Sequence, residues 1–177
     1  HLENEWHDLE WRQITLEIVY HRLCQSRASR RRHLSPILGD FLFALQADEK
    51  FAQRWAETIE QAGKDCGSKH MQEWGRFLSG GIQAFAAGDY AETAVMLSRL
   101  IDRKTLEDRH RVIALRWRGD SYRHLRHDDK AIADYNQAIT IDPTYAWAYA
   151  GRGETYRWLE QYDQAIADFN KAIELEP

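Results

Sequence analysis

The fold is decided by VIALRWRGDSYRHLRHDDKAIADYNQAITIDP at residues 112–143 and by AWAYAGRGETYRWLEQYDQAIADFNKAIELEP at residues 146–177. The two stretches align at an offset of 34 residues without a gap, and 15 of the 32 aligned pairs are identical. A match of the sequence to itself at this period indicates stacked repeat units, because one unit is too small to bury its own apolar face.

The identical positions form a packing signature that closely resembles the tetratricopeptide repeat, a unit of two antiparallel helices. A small residue, Gly119, is followed three positions later by an aromatic one, Tyr122, and the second helix carries Ala131. Pro143 closes the unit, since proline disfavours a helical conformation in the residue before it. The resemblance implies an all-α fold, a right-handed α-solenoid of antiparallel helix pairs.

The repeats divide the chain into a helical N-terminal region or cap at residues 1–70 and a repeat array at residues 71–177. Clear repeats occupy residues 112–145 and 146–177. A degenerate copy is predicted at about 74–107, where Gly81, Gly88 and Leu97 fall at matching positions and Thr93 replaces the small alanine. The gap to the next unit is longer by about four residues. We expect about nine helices and no strand.

Capping signals and apolar spacing place helices in the N-terminal region as well. A long helix is predicted over about residues 3–24, including Trp6. Ser35 is predicted to cap a helix with Pro36 in its first turn, and Asp48 and Gly63 are predicted to open and close another. Residues 105–108 are interpreted as a capping start for the next helix.

The composition excludes several classes of protein. The chain has 177 residues, a formal charge of −4 and 44% hydrophobic residues, and no segment approaches the about 20 apolar residues that a membrane helix needs. No secretory leader occurs at the start, so we expect a cytoplasmic protein that is not bound to a membrane. The acidic balance argues against a nucleic-acid partner. The first residue is His1, and we expect the chain to be part of something longer.

No motif in the sequence predicts catalysis, a cofactor or a metal site. Phosphate-binding loops and the GxSxG, HExxH and CxxC patterns are absent. His124 and His127 precede two aspartates and could hold a metal, but a polar turn between helices is the favoured interpretation. The arginines at residues 27–32 could bind phosphate, and a solvated loop is favoured. His21 could activate Cys24, but a structural cysteine is favoured because no third group orients the histidine.

The resemblance also implies a binding groove, lined by the first helices of successive units. Leu78 and Ile82 occupy positions where a lysine–asparagine clamp for a C-terminal carboxylate would need polar residues. We therefore expect an extended or helical peptide with both apolar and charged side chains. Tryptophan and arginine dominate binding hot spots and are the expected anchors. The candidate groove residues are Ile82, Phe85, Arg116, Asp120, Arg123, Trp147, Glu154 and Arg157.

The favoured function is a non-enzymatic module that binds a protein or peptide partner. The alternative is the sensor or regulatory part of a larger bacterial signalling ATPase of the STAND type, because residues 153–157 and 167–177 resemble bacterial repeat arrays. An enzyme within these residues has no supporting motif. Ile166, Phe169 and Ile173 of the last repeat are partly left for a neighbour, so we expect either that more repeats follow or that another molecule covers this end. Homodimerisation through the last repeat is a prediction.

Overall fold

The computed structural model describes residues 9–25 and 27–176, with side chains from residue 33 onward in the second segment. Nine helices and no strand occur in these segments, which confirms the predicted all-α architecture. Residues 3–8 of the predicted first helix, Pro177 and the side chains at 27–32 lie outside the described residues. The helices are α1 (Leu9–Cys24), α2 (Arg27–Ala47), α3 (Glu49–Asp65), α4 (Lys69–Ala86), α5 (Tyr90–Ile101), α6 (Asp108–His124), α7 (Asp128–Ile141), α8 (Ala146–Trp158) and α9 (Tyr162–Leu175).

The helices belong to two compact units. The N-terminal unit holds α1 to α4 together with residues 105–107, and the C-terminal unit holds α5 to α9. Helix α4 packs against α3 within the first of these, and α5 packs against α6 within the second. The predicted degenerate repeat at about 74–107 would pair α4 with α5, and these helices belong to different units. That repeat and the predicted boundary at residue 70 stay predictions.

The N-terminal unit is built around α3, which packs against α1, α2 and α4. The side chains of Phe41, Trp55 and Ile59 are buried there. The indole Nε1 of Trp55 donates a hydrogen bond to the backbone oxygen of Ile37 at 3.1 Å, so the polar atom of this large side chain is satisfied in the core. Asp48 caps α3 as predicted, because its carboxylate accepts the backbone N–H of Phe51 at 2.7 Å.

The predicted start of α2 is wrong. The helix begins at Arg27 rather than after Ser35, and Pro36 lies inside it. Proline removes only one backbone donor from the helix, and the buried side chains of Ile37 and Leu38 on its core face favour the helical path despite that loss. Ser35 therefore lies inside the helix and does not cap its start, and its hydroxyl is 2.5 Å from the hydroxyl of Thr105.

The predicted end of α3 at Gly63 is also wrong, because the helix continues to Asp65. A Cβ atom at position 63 would lie 2.7 Å from the backbone nitrogen of Gln72 in α4. Glycine therefore allows α3 and α4 to approach closely at this point. The chain turns instead at Gly67, whose positive φ of 66° suits glycine.

In the C-terminal unit, each helix packs against the next one along the chain, and α6 also contacts α8. The pairs α6–α7 and α8–α9 correspond to the two clear repeats. Residues 142–145 separate them, with Pro143 at the predicted end of the first unit, and the Asp142 carboxylate accepts the backbone N–H of Thr144 at 2.9 Å. Over the described part of the chain, no helix combines the length and the apolar character that crossing a membrane requires.

The turn inside each clear repeat contains a residue with a left-handed backbone. The φ angles are 59° at Arg126 and 60° at Glu160, and Gly88 before α5 has 77°. In the turn after α6 the backbone N–H of His127 donates to the Tyr122 oxygen at 2.9 Å, a helix-ending pattern that favours glycine at the preceding position.

Arg126→Gly and Glu160→Gly are each expected to raise the free energy of unfolding by about 0.5–1 kcal/mol, because glycine adopts positive φ without steric cost. Urea denaturation followed by circular dichroism measures the change. Arg126→Ala is the control, since it removes the same side chain without relieving the backbone. Equal stability of the glycine and alanine variants would contradict the prediction.

Candidate functional site

The second helix of the first clear repeat carries a tyrosine ring on which the first helices of both clear repeats pack. Tyr135 of α7 is fully buried. A Cβ atom at Gly119 of α6 would lie 2.8 Å from this ring, and one at Gly151 of α8 would lie 2.6 Å from it. The two glycines therefore let α6 and α8 approach the ring from either side, and this contact fixes the two first helices next to each other.

A carboxylate on α6 receives the hydroxyl of that tyrosine. Tyr135 donates to Asp120 Oδ1 at 2.7 Å, and Arg116 Nε lies 2.9 Å from Asp120 Oδ2. Burial, together with the charge of Asp120, raises the pKa of Tyr135, so its hydroxyl remains a donor. Arg116, Asp120 and Arg123 lie on one face of α6, since their spacing follows the helical repeat.

Aromatic side chains hold the first of these arginines. The Arg116 guanidinium carbon lies 4.5 Å from the ring centroid of Trp117 and 5.3 Å from that of Trp147 on α8, within the range of cation–π attraction. Trp147 is 46% exposed. Within range of the Arg116 charge, the buried hydroxyl of Tyr145 has no hydrogen-bond partner among the described residues, and burial raises the pKa of Tyr145 to about 12.

The other end of α8 carries a second group of charged and aromatic side chains. Arg157 forms an ion pair with Glu154 at 2.8 Å. Trp158 is 53% exposed, and the guanidinium carbons of Arg126 and Arg157 lie 5.1 and 5.6 Å from its ring centroid. We call the surface formed by the predicted groove residues of these two helices the α6–α8 face: Arg116, Asp120, Arg123, Trp147, Glu154 and Arg157.

Two predicted groove residues do not belong to this face. Ile82 and Phe85 lie on α4, in the N-terminal unit. Ile82 is 2% exposed and presents almost no surface to a ligand, and Phe85 is half-buried. Leu78, on the same helix, is also buried. We therefore leave Ile82 and Phe85 out of the site.

Sequence reasoning missed two arginines that connect the helices of each repeat. Arg118 contacts both carboxylate oxygens of Asp134, at 2.8 and 2.7 Å. Arg152 contacts Asp168 in the same way, at 2.8 and 2.6 Å. The arginine and the aspartate are each identical in the two aligned repeats, and this identity could have indicated the ion pair. Tyr145 was missed because it lies just before the second aligned stretch and has no matched partner there.

The cluster of histidines and aspartates occupies the turn that the sequence predicts. Helix α6 ends at His124 and α7 begins at Asp128. The His124 ring stacks on Tyr90 of α5 at 4.2 Å between centroids. Burial and the neighbouring charge of Arg123 lower the pKa of His124, which favours its neutral form at neutral pH.

Comparisons with known proteins agree with the repeat pattern. Residues 146–177 match the family model described as Tetratricopeptide repeat, and residues 119–157 match the one described as TPR repeat. No curated protein matches the chain. The matched residues cover α8, α9, α7 and the end of α6, the helices around Tyr135. The segment from residue 119 to residue 177 therefore carries tetratricopeptide repeats.

Proposed function

We propose that the chain is a non-enzymatic, cytoplasmic interaction module whose α6–α8 face binds a segment of a partner protein. Tetratricopeptide repeats generally mediate protein–protein interaction, and stacked repeats present extended binding surfaces. One observation carries the proposal: Trp147, 46% exposed, lies against the Arg116 guanidinium on the face that the repeat pattern assigns to a partner.

The surroundings of Trp147 suit a binding anchor. Arg116 lies over its ring and is itself held by Asp120, so the indole is oriented before a partner arrives. Covering the exposed part of a tryptophan removes a large apolar area from water, and an ordered anchor loses little conformational entropy on binding. Tryptophan and arginine also dominate measured hot spots.

Peptides are first selected on the wild-type chain from a random displayed library. Trp147→Ala is expected to weaken their binding by about tenfold or more, because truncation of an anchor costs at least about 1–2 kcal/mol. Fluorescence anisotropy with labelled peptides measures the affinity. Val95→Ala is the control, since Val95 is 49% exposed and lies on α5. Selected peptides that bind both variants equally well would overturn the assignment of Trp147. A library that yields no binder would count against the proposed function as a whole.

We further propose that the chain self-associates through α9. Tyr162, Ile166 and Ile173 share one face of this helix and are 58%, 57% and 65% exposed. The matching isoleucines of α7, Ile132 and Ile139, are half-buried within the C-terminal unit. An apolar stripe of this kind is a recognised feature of association surfaces.

Sedimentation velocity over a range of concentrations is expected to show a monomer–dimer equilibrium. Ile166→Glu should shift it to monomer, because a charge in an apolar contact costs several-fold or more in affinity. Val95→Glu, which places the same charge on α5, should leave the equilibrium unchanged. A wild-type chain that stays monomeric at the highest concentrations would end this proposal.

A regulatory role within a larger bacterial STAND-type ATPase stays a prediction from the resemblance of residues 153–157 and 167–177. The reading frame on either side of the chain tests it directly. A nucleotide-binding domain encoded next to these residues would support the role, and frames without one would remove it.

A further inference from the structure

The α6 part of the α6–α8 face carries more positive than negative charge. Arg116 and Arg123 flank a single carboxylate, Asp120. All three side chains are largely shielded from water, with 18%, 21% and 12% of their surface exposed. One guanidinium charge is therefore left over in a place where solvent screens it poorly.

The Asp120 carboxylate already has two other partners. Its Oδ1 accepts the Tyr135 hydroxyl at 2.7 Å, and its Oδ2 faces Arg116 at 2.9 Å. The distance from Arg123 Nη2 to Asp120 Oδ1 is 4.0 Å, which is too long for a hydrogen bond. Arg123 therefore lies near the Asp120 charge and the Tyr135 hydroxyl, but it has no close carboxylate of its own.

Three buried polar atoms at this place make no hydrogen bond to the described residues. They are Nε of Arg116, which is paired with Asp120 by charge only, Nε of Arg123 and the hydroxyl of Tyr145. Buried donors without acceptors are uncommon in native proteins. A guanidinium is matched best by a carboxylate, which accepts two parallel hydrogen bonds from it.

We infer that Arg123 binds the carboxylate of an aspartate or glutamate side chain in the partner segment. This inference rests on the proposed function, and it adds the chemical class of the ligand. Exposed tryptophans lie at both ends of α8, at residues 147 and 158, about 16 Å apart along the helix axis. A segment that contacts both crosses the face and continues, so the carboxylate belongs to a side chain within it and not to a chain end.

The test selects peptides on the wild-type chain and on Arg123→Gln from one random library, displayed once with free and once with amidated C-termini. We expect an acidic residue at a fixed distance from an apolar anchor on the wild type, in both forms of the library. On Arg123→Gln the anchor should persist and the acidic preference should disappear. Arg76→Gln is the matched control, because it makes the same charge change at an exposed position on α4.

A double-mutant cycle with one selected acidic peptide gives the second measurement. Arg123→Gln and the Glu→Gln change in the peptide should each weaken binding about tenfold, and together they should weaken it little further, because both remove one interaction. Arg123→Lys should retain the acidic preference with lower affinity. Unchanged circular dichroism shows that each variant is folded.

The outcomes separate this inference from the proposed function. The carboxylate site is overturned if the selected peptides show no preference for an acidic residue. It is also overturned if Arg123→Gln does not change that preference. Neither result contradicts the proposed interaction module. Selection that depends on a free C-terminus also overturns the carboxylate site, since the ligand would then be a chain end. The absence of any selected peptide removes both.

Discussion

Tyr135→Ala is expected to lower the free energy of unfolding by about 3–5 kcal/mol, the range for truncating a fully buried aromatic side chain. The substitution leaves a cavity between Gly119 and Gly151, which have no side chains to fill it. It also removes the hydroxyl that Asp120 accepts at 2.7 Å. Chemical denaturation followed by circular dichroism measures the loss.

Two variants divide this effect into its parts. Tyr135→Phe keeps the ring and removes only the hydrogen bond to Asp120, so we expect a loss of about 1–2 kcal/mol. Phe169→Ala is the matched control at the same position of the next repeat, where the ring is half-buried, and it should cost clearly less than Tyr135→Ala. Equal losses at the two positions would show that packing between α6 and α8 on Tyr135 is unimportant for stability.

Asp134→Ala is expected to lower the free energy of unfolding by about 3 kcal/mol, because it leaves Arg118 without its bidentate partner in a place shielded from water. The Arg118 side chain is 16% exposed and that of Asp134 is 7% exposed. Burial alone would lower the pKa of Arg118, and the bond to Asp134 reverses this and raises it. An arginine is not deprotonated in proteins, so the guanidinium stays charged when its partner is removed.

The double variant Arg118→Met with Asp134→Leu is the control for this prediction. It replaces the ion pair with apolar groups of similar size, and we expect it to recover much of the stability that Asp134→Ala loses. Thermal unfolding of the two variants and the wild type makes the comparison. A double variant as unstable as the single one would mean that the loss comes from packing rather than from an unpaired charge.

The repeat pattern was sufficient to predict the C-terminal helices, because stacking imposes the same small and aromatic residues on each unit. Gly119 and Pro143 had the packing and boundary roles that their spacing indicated. Helix ends in the N-terminal region were less predictable. Pro36 lies within α2 and Gly63 within α3, because contacts with distant residues outweigh the local preferences of proline and glycine.

The candidate site was predictable only in outline. The spacing of Arg116, Asp120 and Arg123 places them on one helical face, and the sequence shows this. The burial of Ile82 depends on tertiary packing, which the sequence pattern did not reveal. Tyr145 lies where α8 begins, and the packing of α8 against α6 is likewise a tertiary contact that the sequence pattern did not reveal.

The arginine of each clear repeat also contacts the helix that precedes the repeat. Arg118 reaches Ser98 of α5 at 3.0 Å, and Arg152 reaches Asn136 of α7. The chain between these partners is not of constant length, because α6 has 17 residues and α8 has 13. Each guanidinium therefore links its repeat to the helix before it, across 20 residues of sequence in one case and 16 in the other.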